Sequence, residues 1–404
     1  MRALWASTVW PWPLDTGGRI RAFQMLELLA GEAETVTVFG TADSAAGVAD
    51  LRAALPPNVH VEEPVVWANR IRRSPAALLR TAVRALRSGE PYRTAKFGSP
   101  EAIERLAALL PAHDVLYVHY LGTAGIVEAA RARAGRTPPV VFDAHQVEQT
   151  LAAEVRRSLR GARRALSPLL GGEVRRLARF ESRFVAGCAA VIAITPEDAI
   201  RFRALGAREV VAVPPGAWPV LERPGPGAEV LVLGTWHWPP SAAALEEMLP
   251  ALATLPPSIV PVVAGAGASR SLRRRLRAAG LRHAGYVEDL EPYWRRARVV
   301  VIPGAGTGAR MRFPEAFRRG VPVVATVASA AGFDATGAGT IVERPGWIAD
   351  SIRRIVADDD LAAELSAGAS RLAARVYDRD SLAALMRPAL AAARAPAASP
   401  PASA

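Results

Sequence analysis

The sequence predicts an α/β protein made of two Rossmann-like, doubly wound domains facing each other across a cleft. Short Val- and Ile-rich runs alternate with longer helical patterns along the chain, which is how strand, helix, strand units of a parallel sheet read. The alternation stops once, at the proline and glycine stretch PPGAWPVLERPGPG, residues 214–227, and then starts again. A chain of 404 residues also exceeds what one ordinary core organises. These observations set domains at 1–213 and 228–375, a linker at 214–227, a C-terminal helix at 376–394 that can return to the first domain, and a disordered tail at 395–404.

Residues 1–8 read as the first strand, followed by the loop and helix start WPWPLDTGGRIR. The helix 20–30 carries Ile20, Phe23, Leu26 and Leu29 at helical spacing, with Thr16 or Asp15 available as its cap and Arg19 and Arg21 near its start. Gly17 and Gly18 either let a ligand approach the backbone or make a tight turn. Strands at 36–39 and 59–62 precede a basic amphipathic pattern with Leu78, Leu79, Val83 and Leu86 beside Arg72, Arg73, Arg80, Arg84 and Arg87. Such a helix packs its apolar side on its own domain, the preferred reading, or rests on an acidic bilayer.

The strand 115–119 ends in His119 and Tyr120, and the strand 140–143 runs into DAHQVE. Both loops leave carboxyl ends of strands, where open α/β sheets place their ligands. His145 therefore has a stronger claim to function than His60, His113 or His283. Residues 151–185 read as two Arg-rich helices broken around Gly171 and Gly172, with a solvated face as the default and phosphate or membrane attraction as the alternative. Strands at 190–194 and 210–213 flank a helix opened by Pro196. After the linker come strands at 230–233, 259–264, 283–287 and 299–302, with helices from Ala242, at 272–279 and at 292–297 between them.

The stretch PGAGTGARMRFPEAFRRGVPVVA, residues 303–325, is a glycine turn between a buried strand and a short helix, with the next strand following at 321–325. Gly304, Gly306 and Gly308 bring backbone N–H groups to a helix start, which attracts anions. Arg310 and Arg312 stand where they can hold a diphosphate, and Glu315, about one turn on, can accept hydrogen bonds from ribose hydroxyls; the equal alternative is an ordinary glycine turn with the Arg residues on a solvated helix face. Gly304-x-Gly306-x-x-Ala309 also fits a dinucleotide fingerprint, but the next strand ends Val323, Val324, Ala325, Thr326 without the acid that fold needs.

Composition narrows the partners. A net charge of +12 favours an anionic ligand, while aromatic residues at 6%, not interleaved with a basic stripe, argue against nucleic acid. Cys188 is the only cysteine, so no intramolecular disulfide or thiolate cluster is expected, in keeping with a reducing cytoplasm. Its Ala- and Val-rich surroundings mark it as a small buried hydrophobe. No stretch reaches transmembrane length, so the expected location is the cytoplasm, with peripheral contact at the inner membrane face as an option.

Taken in order, DTGGRIR, DAHQVE, AVIAITPEDAIRFRALGA leading to VAVPPG, LGTWHWPPSAAAL, GYVEDLEPYWRRARVVVIP and GARMRFPEAFRRGVPVVAT resemble the family 4 glycosyltransferases of the GT-B fold, over roughly residues 1–387. The resemblance implies a metal-independent hexosyltransferase moving a sugar from a nucleotide diphosphate donor with retention of anomeric configuration, the donor being a substrate and no cofactor being required. It implies an acceptor, whether glycan, lipid-linked or small molecule, on the first domain and the nucleotide on the second. Glu315 falls where the family binds the donor ribose, Arg310 and Arg312 where it neutralises the diphosphate, and Val287 where backbone holds the base. Gly17 and Gly18 match the loop facing the diphosphate, His145 the histidine near the transferred sugar, and Gly306, Thr307 and Gly308 line the donor side.

Two departures bear on activity. Thr307 stands where the family often has an acid reading the donor sugar, and GTWHWPPS lacks the usual Arg or Lys. Donor identity stays open, and a GT-B-like sugar-nucleotide binding protein or epimerase without transferase activity is the alternative reading.

Overall fold

The computed structural model describes residues 1–66, 79, 81–83, 85, 87, 89–157, 167–222, 227–304 and 311–395. Arg310, Gly306, Thr307 and Gly308 lie outside the described residues, as do Arg72, Arg73, Leu78, Arg80, Arg84 and Leu86 of the amphipathic pattern. The chain divides into two compact units, one formed by Met1–Val213 with Ala383–Ala404 and the other by Pro214–Leu382.

The first unit holds strands β1 (Arg2–Ser7), β2 (Thr35–Ala42), β3 (Val59–Val61), β4 (Val65–Val66), β5 (Val115–His119), β6 (Val140–Asp143), β7 (Ala190–Ala193) and β8 (Val210–Ala212). They pair in parallel in the order β3-β2-β1-β5-β6-β7-β8, with β4 on β2. The order reverses between β1 and β5, the topological switch point where such sheets bind ligands. Alternate residues serve opposite faces. Leu116, Val118, Val140 and Phe142 join one core cluster, which leaves Tyr117, His119, Val141 and Asp143 to the other face.

The second unit repeats the plan with β9 (Glu229–Leu233), β10 (Val262–Ala264), β11 (Arg282–Gly285), β12 (Ala297–Ile302), β13 (Val323–Thr326) and β14 (Gly339–Val342) in the order β11-β10-β9-β12-β13-β14. Val300 and Ile302 pack into one cluster and Val299 and Val301 into another, so this sheet is buried on both sides as a crossover topology demands. Its switch point lies between β9 and β12, and β12 ends there at Ile302.

Several elements differ from the sequence reading. Gly171 and Gly172 do not break a helix: Ser167–Ala186 runs through them, and residues 158–166 are the ones outside the described set. Gly171 is buried, and a Cβ there would come within 3.2 Å of the Arg156 guanidinium, so the glycine admits the neighbouring Glu148–Arg157 helix at close range. The apolar side of the basic amphipathic pattern is not packed at the positions described, since Leu79 is 64% and Val83 40% exposed while Thr81 and Ala85 are buried. The strand expected at 259–264 starts only at Val262, because Pro261 has no N–H for a ladder. β14 escaped the reading because it opens on glycine and is half-exposed. Cys188 is buried as expected, and burial pushes its thiol far up. Among the described residues no helix is long and apolar enough to cross a membrane.

Candidate active site

The site grows out of strand register. β5 and β6 align His119 with Asp143, and β1 aligns Ser7 with His119, so two polar strand ends meet on one face beside the switch point. His119 Nδ1 lies 2.6 Å from Asp143 Oδ2, and both side chains are fully buried. A buried carboxylate needs compensation. Arg21 supplies it from the Gly17–Glu32 helix, donating from Nη2 to Asp143 Oδ1 at 2.8 Å and from Nη1 to the Val213 carbonyl at 3.0 Å.

His145, on the loop after β6, completes the chain: its Nε2 is 2.7 Å from His119 Nε2, with the rings edge to face at 4.5 Å. It is half-buried, and its Nδ1 has no hydrogen-bond partner among the described residues. A Cβ on Gly18 would stand 3.6 Å from His145 Cε1, so Gly18 and His145 adjoin. The helix begins at Gly17, earlier than expected. Thr16 holds the N-cap position without a side-chain bond, and Asp15 pairs with Arg19 at 2.9 Å instead of capping. Tyr120 closes over His145 with ring centroids 5.3 Å apart. Its φ of 71° is the only positive value at a non-glycine among the described residues, a strained backbone of the kind that gathers at functional sites.

The electrostatics follow from burial and charge. Burial alone raises the Asp143 carboxyl, but Arg21 and then His119 overcome it and hold the group well below the ordinary carboxylate range. Burial, with His119 behind it, pushes His145 well below the ordinary histidine value, so it is neutral at neutral pH. Burial and the Asp143 charge together raise the Tyr117 phenol far above its usual value.

Glu181 holds the loop of His145 in place. Its carboxyl, fully buried, accepts the N–H groups of Glu148 at 2.8 Å and Gln149 at 2.9 Å and so caps the Glu148–Arg157 helix that follows DAHQ. Burial raises it to about 7, despite those bonds. A raised acid stabilises the fold below its unfolded value of 4.5 and loses that contribution as pH rises through about 7. The stability of wild type relative to Glu181→Gln is therefore expected to fall between these values. Thermal melts of both proteins across the range check it, and a flat or rising difference would contradict the assignment.

On the second unit, Glu315 lies on a helix of only six residues, Arg312–Phe317, with Pro314 in its first turn and a φ of 60° at Gly320 just beyond. So short a helix has little dipole, and the holding of an anion falls to side chains. Glu315 Oε2 is paired with both Arg318, at 3.1 Å, and Arg319, leaving Oε1 without a partner among the described residues. Arg319 also reaches Glu291 at 3.0 Å and lies over Trp294. Arg312, half-buried, starts the helix. Val287 follows β11, which ends at Gly285 where φ reaches 76°, and no hydrogen bond ties its backbone to another described residue.

Sequence reasoning singled out His145, Gly17 and Gly18, which the structure brings together. Arg21 was read only as a basic residue near a helix start, and His119 and Asp143 only as strand ends. Their partnership had one signal in the sequence: two strands with polar last residues, one of them an acid that needs a cation once buried. Arg318 and Arg319, the fixers of Glu315, were passed over as part of FRRG. Among the described residues no group of three or more His, Cys, Asp or Glu is placed to hold a metal ion.

Two parallel-sheet α/β units of this kind are the architecture of a GT-B protein. HepE from Anabaena, in complex with UDP, matches at a TM-score of 0.63 and 15% identity over 97% of this chain and 100% of its own. Sucrose-phosphate synthase from Thermosynechococcus elongatus matches at 0.63 and 15% over 96% and 98%. TarM of S. aureus matches at 0.67 and 10% over 98% and 99%. Residues 16–216 match the glycosyl transferase 4-like domain and residues 228–358 the glycosyl transferases group 1 family. The chain belongs to the family 4-like glycosyltransferases of the GT-B fold. No curated protein matches it at a significant level.

Proposed function

We propose that the protein is a retaining glycosyltransferase that moves a hexosyl group from a nucleoside diphosphate sugar to a glycan, lipid-linked or small-molecule acceptor, without a metal. The observation that carries the reading is His145, neutral and half-buried beside Gly18 at the switch point, with one ring nitrogen held by the protein and the other open. On the first unit, His145 receives the sugar being transferred, and Gly17 and Gly18 at the helix start face the diphosphate. On the second, Val287 holds the base, the open Oε1 of Glu315 takes the ribose, and Arg310 and Arg312 hold the diphosphate beside Gly306, Thr307 and Gly308. As the bond from the anomeric carbon to the diphosphate breaks, its electron pair leaves on a phosphate oxygen, and the two guanidinium groups stabilise that charge as a divalent metal does elsewhere. The donor is a substrate, and no cofactor enters. A uridine nucleotide is the first donor to try, since HepE structures hold UDP and UDP-glucose.

Arg310→Ala is expected to weaken nucleoside diphosphate binding roughly 10- to 100-fold, the loss of a charge-assisted hydrogen bond, and to leave nucleoside binding nearly unchanged. Calorimetric titration with both ligands measures this, and equal losses would remove Arg310 from the phosphate. Thr307 is the one feature that favours a sugar-nucleotide binder without transfer. In that case donor binds and no sugar is released.

A further inference from the structure

We propose that His119 is a positioning residue that fixes the tautomer of His145, so that the nitrogen turned to a ligand, Nδ1, is a bare hydrogen-bond acceptor for a hydroxyl group. The deduction is a count of protons. Asp143 is an ionised acceptor, so the 2.6 Å contact requires a proton on His119 Nδ1. One further proton must lie in the 2.7 Å contact between the two Nε2 atoms. A neutral pair holds no others, which leaves His145 Nδ1 unprotonated.

The same count locates the next proton. If the pair becomes cationic, the bridging proton sits nearer one ring or the other, but in both arrangements the added proton is on His145 Nδ1. One atom therefore changes from acceptor to donor on acidification, wherever the charge is drawn. The groups facing the rings are Arg21 from the Gly17–Glu32 helix, Asp143 from β6, Tyr117 from β5 and Tyr120 from the turn after it, with Trp5 of β1 stacked on His119 at 5.6 Å. Arg21 and Asp143 cancel, so a further charge on the buried His145 ring has no counter-ion, and burial keeps that ring neutral at neutral pH.

The hydroxyl's identity as part of the transferred sugar rests on the glycosyl-transfer reading, but the tautomer does not. Two substitutions separate the contacts of His119. Asn at this position reproduces the Nδ1–H donated to Asp143 and withdraws the acceptor from His145, whereas the longer Gln places a carbonyl oxygen where His119 Nε2 was.

The test is imidazole nitrogen NMR on the full chain labelled at histidine, with the His145 signals assigned by their loss in His145→Gln. At about pH 8, above the ordinary histidine range, wild type and His119→Gln are expected to carry the His145 proton on Nε2, and His119→Asn to move a large share of it to Nδ1. In a donor-cleavage assay His119→Asn is expected to lower kcat/KM roughly ten-fold and His119→Gln less than about three-fold, as one hydrogen bond warrants. A proton on Nδ1 in wild type, or no change in His119→Asn, would overturn the proposal. If the tautomer is found and no nucleotide sugar is bound or cleaved, the transferase reading falls and this one stands.

Discussion

Replacing Asp143 by Leu is expected to destabilise the first unit by about 3–5 kcal/mol, because it strands a guanidinium in a site that excludes water. Arg21 is 2% exposed and Asp143 not at all, so neither can turn to solvent when its partner is removed. For a unit of this size the loss corresponds to a fall in Tm of about 6–20 °C. Removing both charges in Arg21→Met/Asp143→Leu should recover most of the stability, since a buried ion pair is often no better than well-packed apolar side chains. Calorimetry of the single and double variants checks the prediction, and a harmless single substitution would mean that the buried Arg21 guanidinium does not need Asp143 as its counter-ion. The depressed Asp143 carboxyl and the depressed His145 ring act in the same direction with pH. Each stabilises the fold above its unfolded value, 3.8 and 6.5, and that contribution is lost as acid protonates the folded form.

His145→Ala is expected to lower kcat roughly 10- to 100-fold, the cost of losing the hydrogen bond that orients the sugar. On the proposed role, in which the open Nδ1 meets the sugar and not the nucleotide, nucleoside diphosphate affinity should hardly move, and kcat and kcat/KM should fall together. A variant that keeps its turnover, or that loses nucleotide affinity to the same degree, would take His145 away from the transferred sugar. Acidification should mimic the substitution, since a proton on Nδ1 ends its role as an acceptor. That loss sets in below the ordinary histidine value, because burial holds the group down.

The fold was legible because strand and helix periods are local. VLYVH and VVFD end at the residues read from the sequence, His119 and Asp143, and both lie in fully buried parallel strands. The pairing of those two ends was not legible, because it depends on β5 lying beside β6 in matched register, and neither fact resides in one segment. Arg21 was hidden for a related reason. Its neighbours Ile20 and Phe23 carry the apolar stripe yet are half-buried, while Arg21 and Gln24 are buried and Arg21 meets the Asp143 carboxylate. Gly171 and Gly172 misled because glycine reads as a breaker, whereas here it makes room for the Arg156 side chain of an adjacent helix. On the second unit, the choice of Glu315 was available from spacing to the glycine turn, but its clamping by Arg318 and Arg319 needed the helix to be seen in three dimensions.

The account rests on an activated sugar being released where His145 meets it. The most direct measurement is incubation of the purified chain with a panel of nucleoside diphosphate hexoses, following nucleoside diphosphate and sugar together and the anomer of the product by NMR. The expected result is one donor from which both products appear in equal amounts, with the donor's anomeric configuration kept and the rate much reduced in His145→Ala. Tight binding of a donor with no sugar released by wild type, under any acceptor or in water alone, would contradict it.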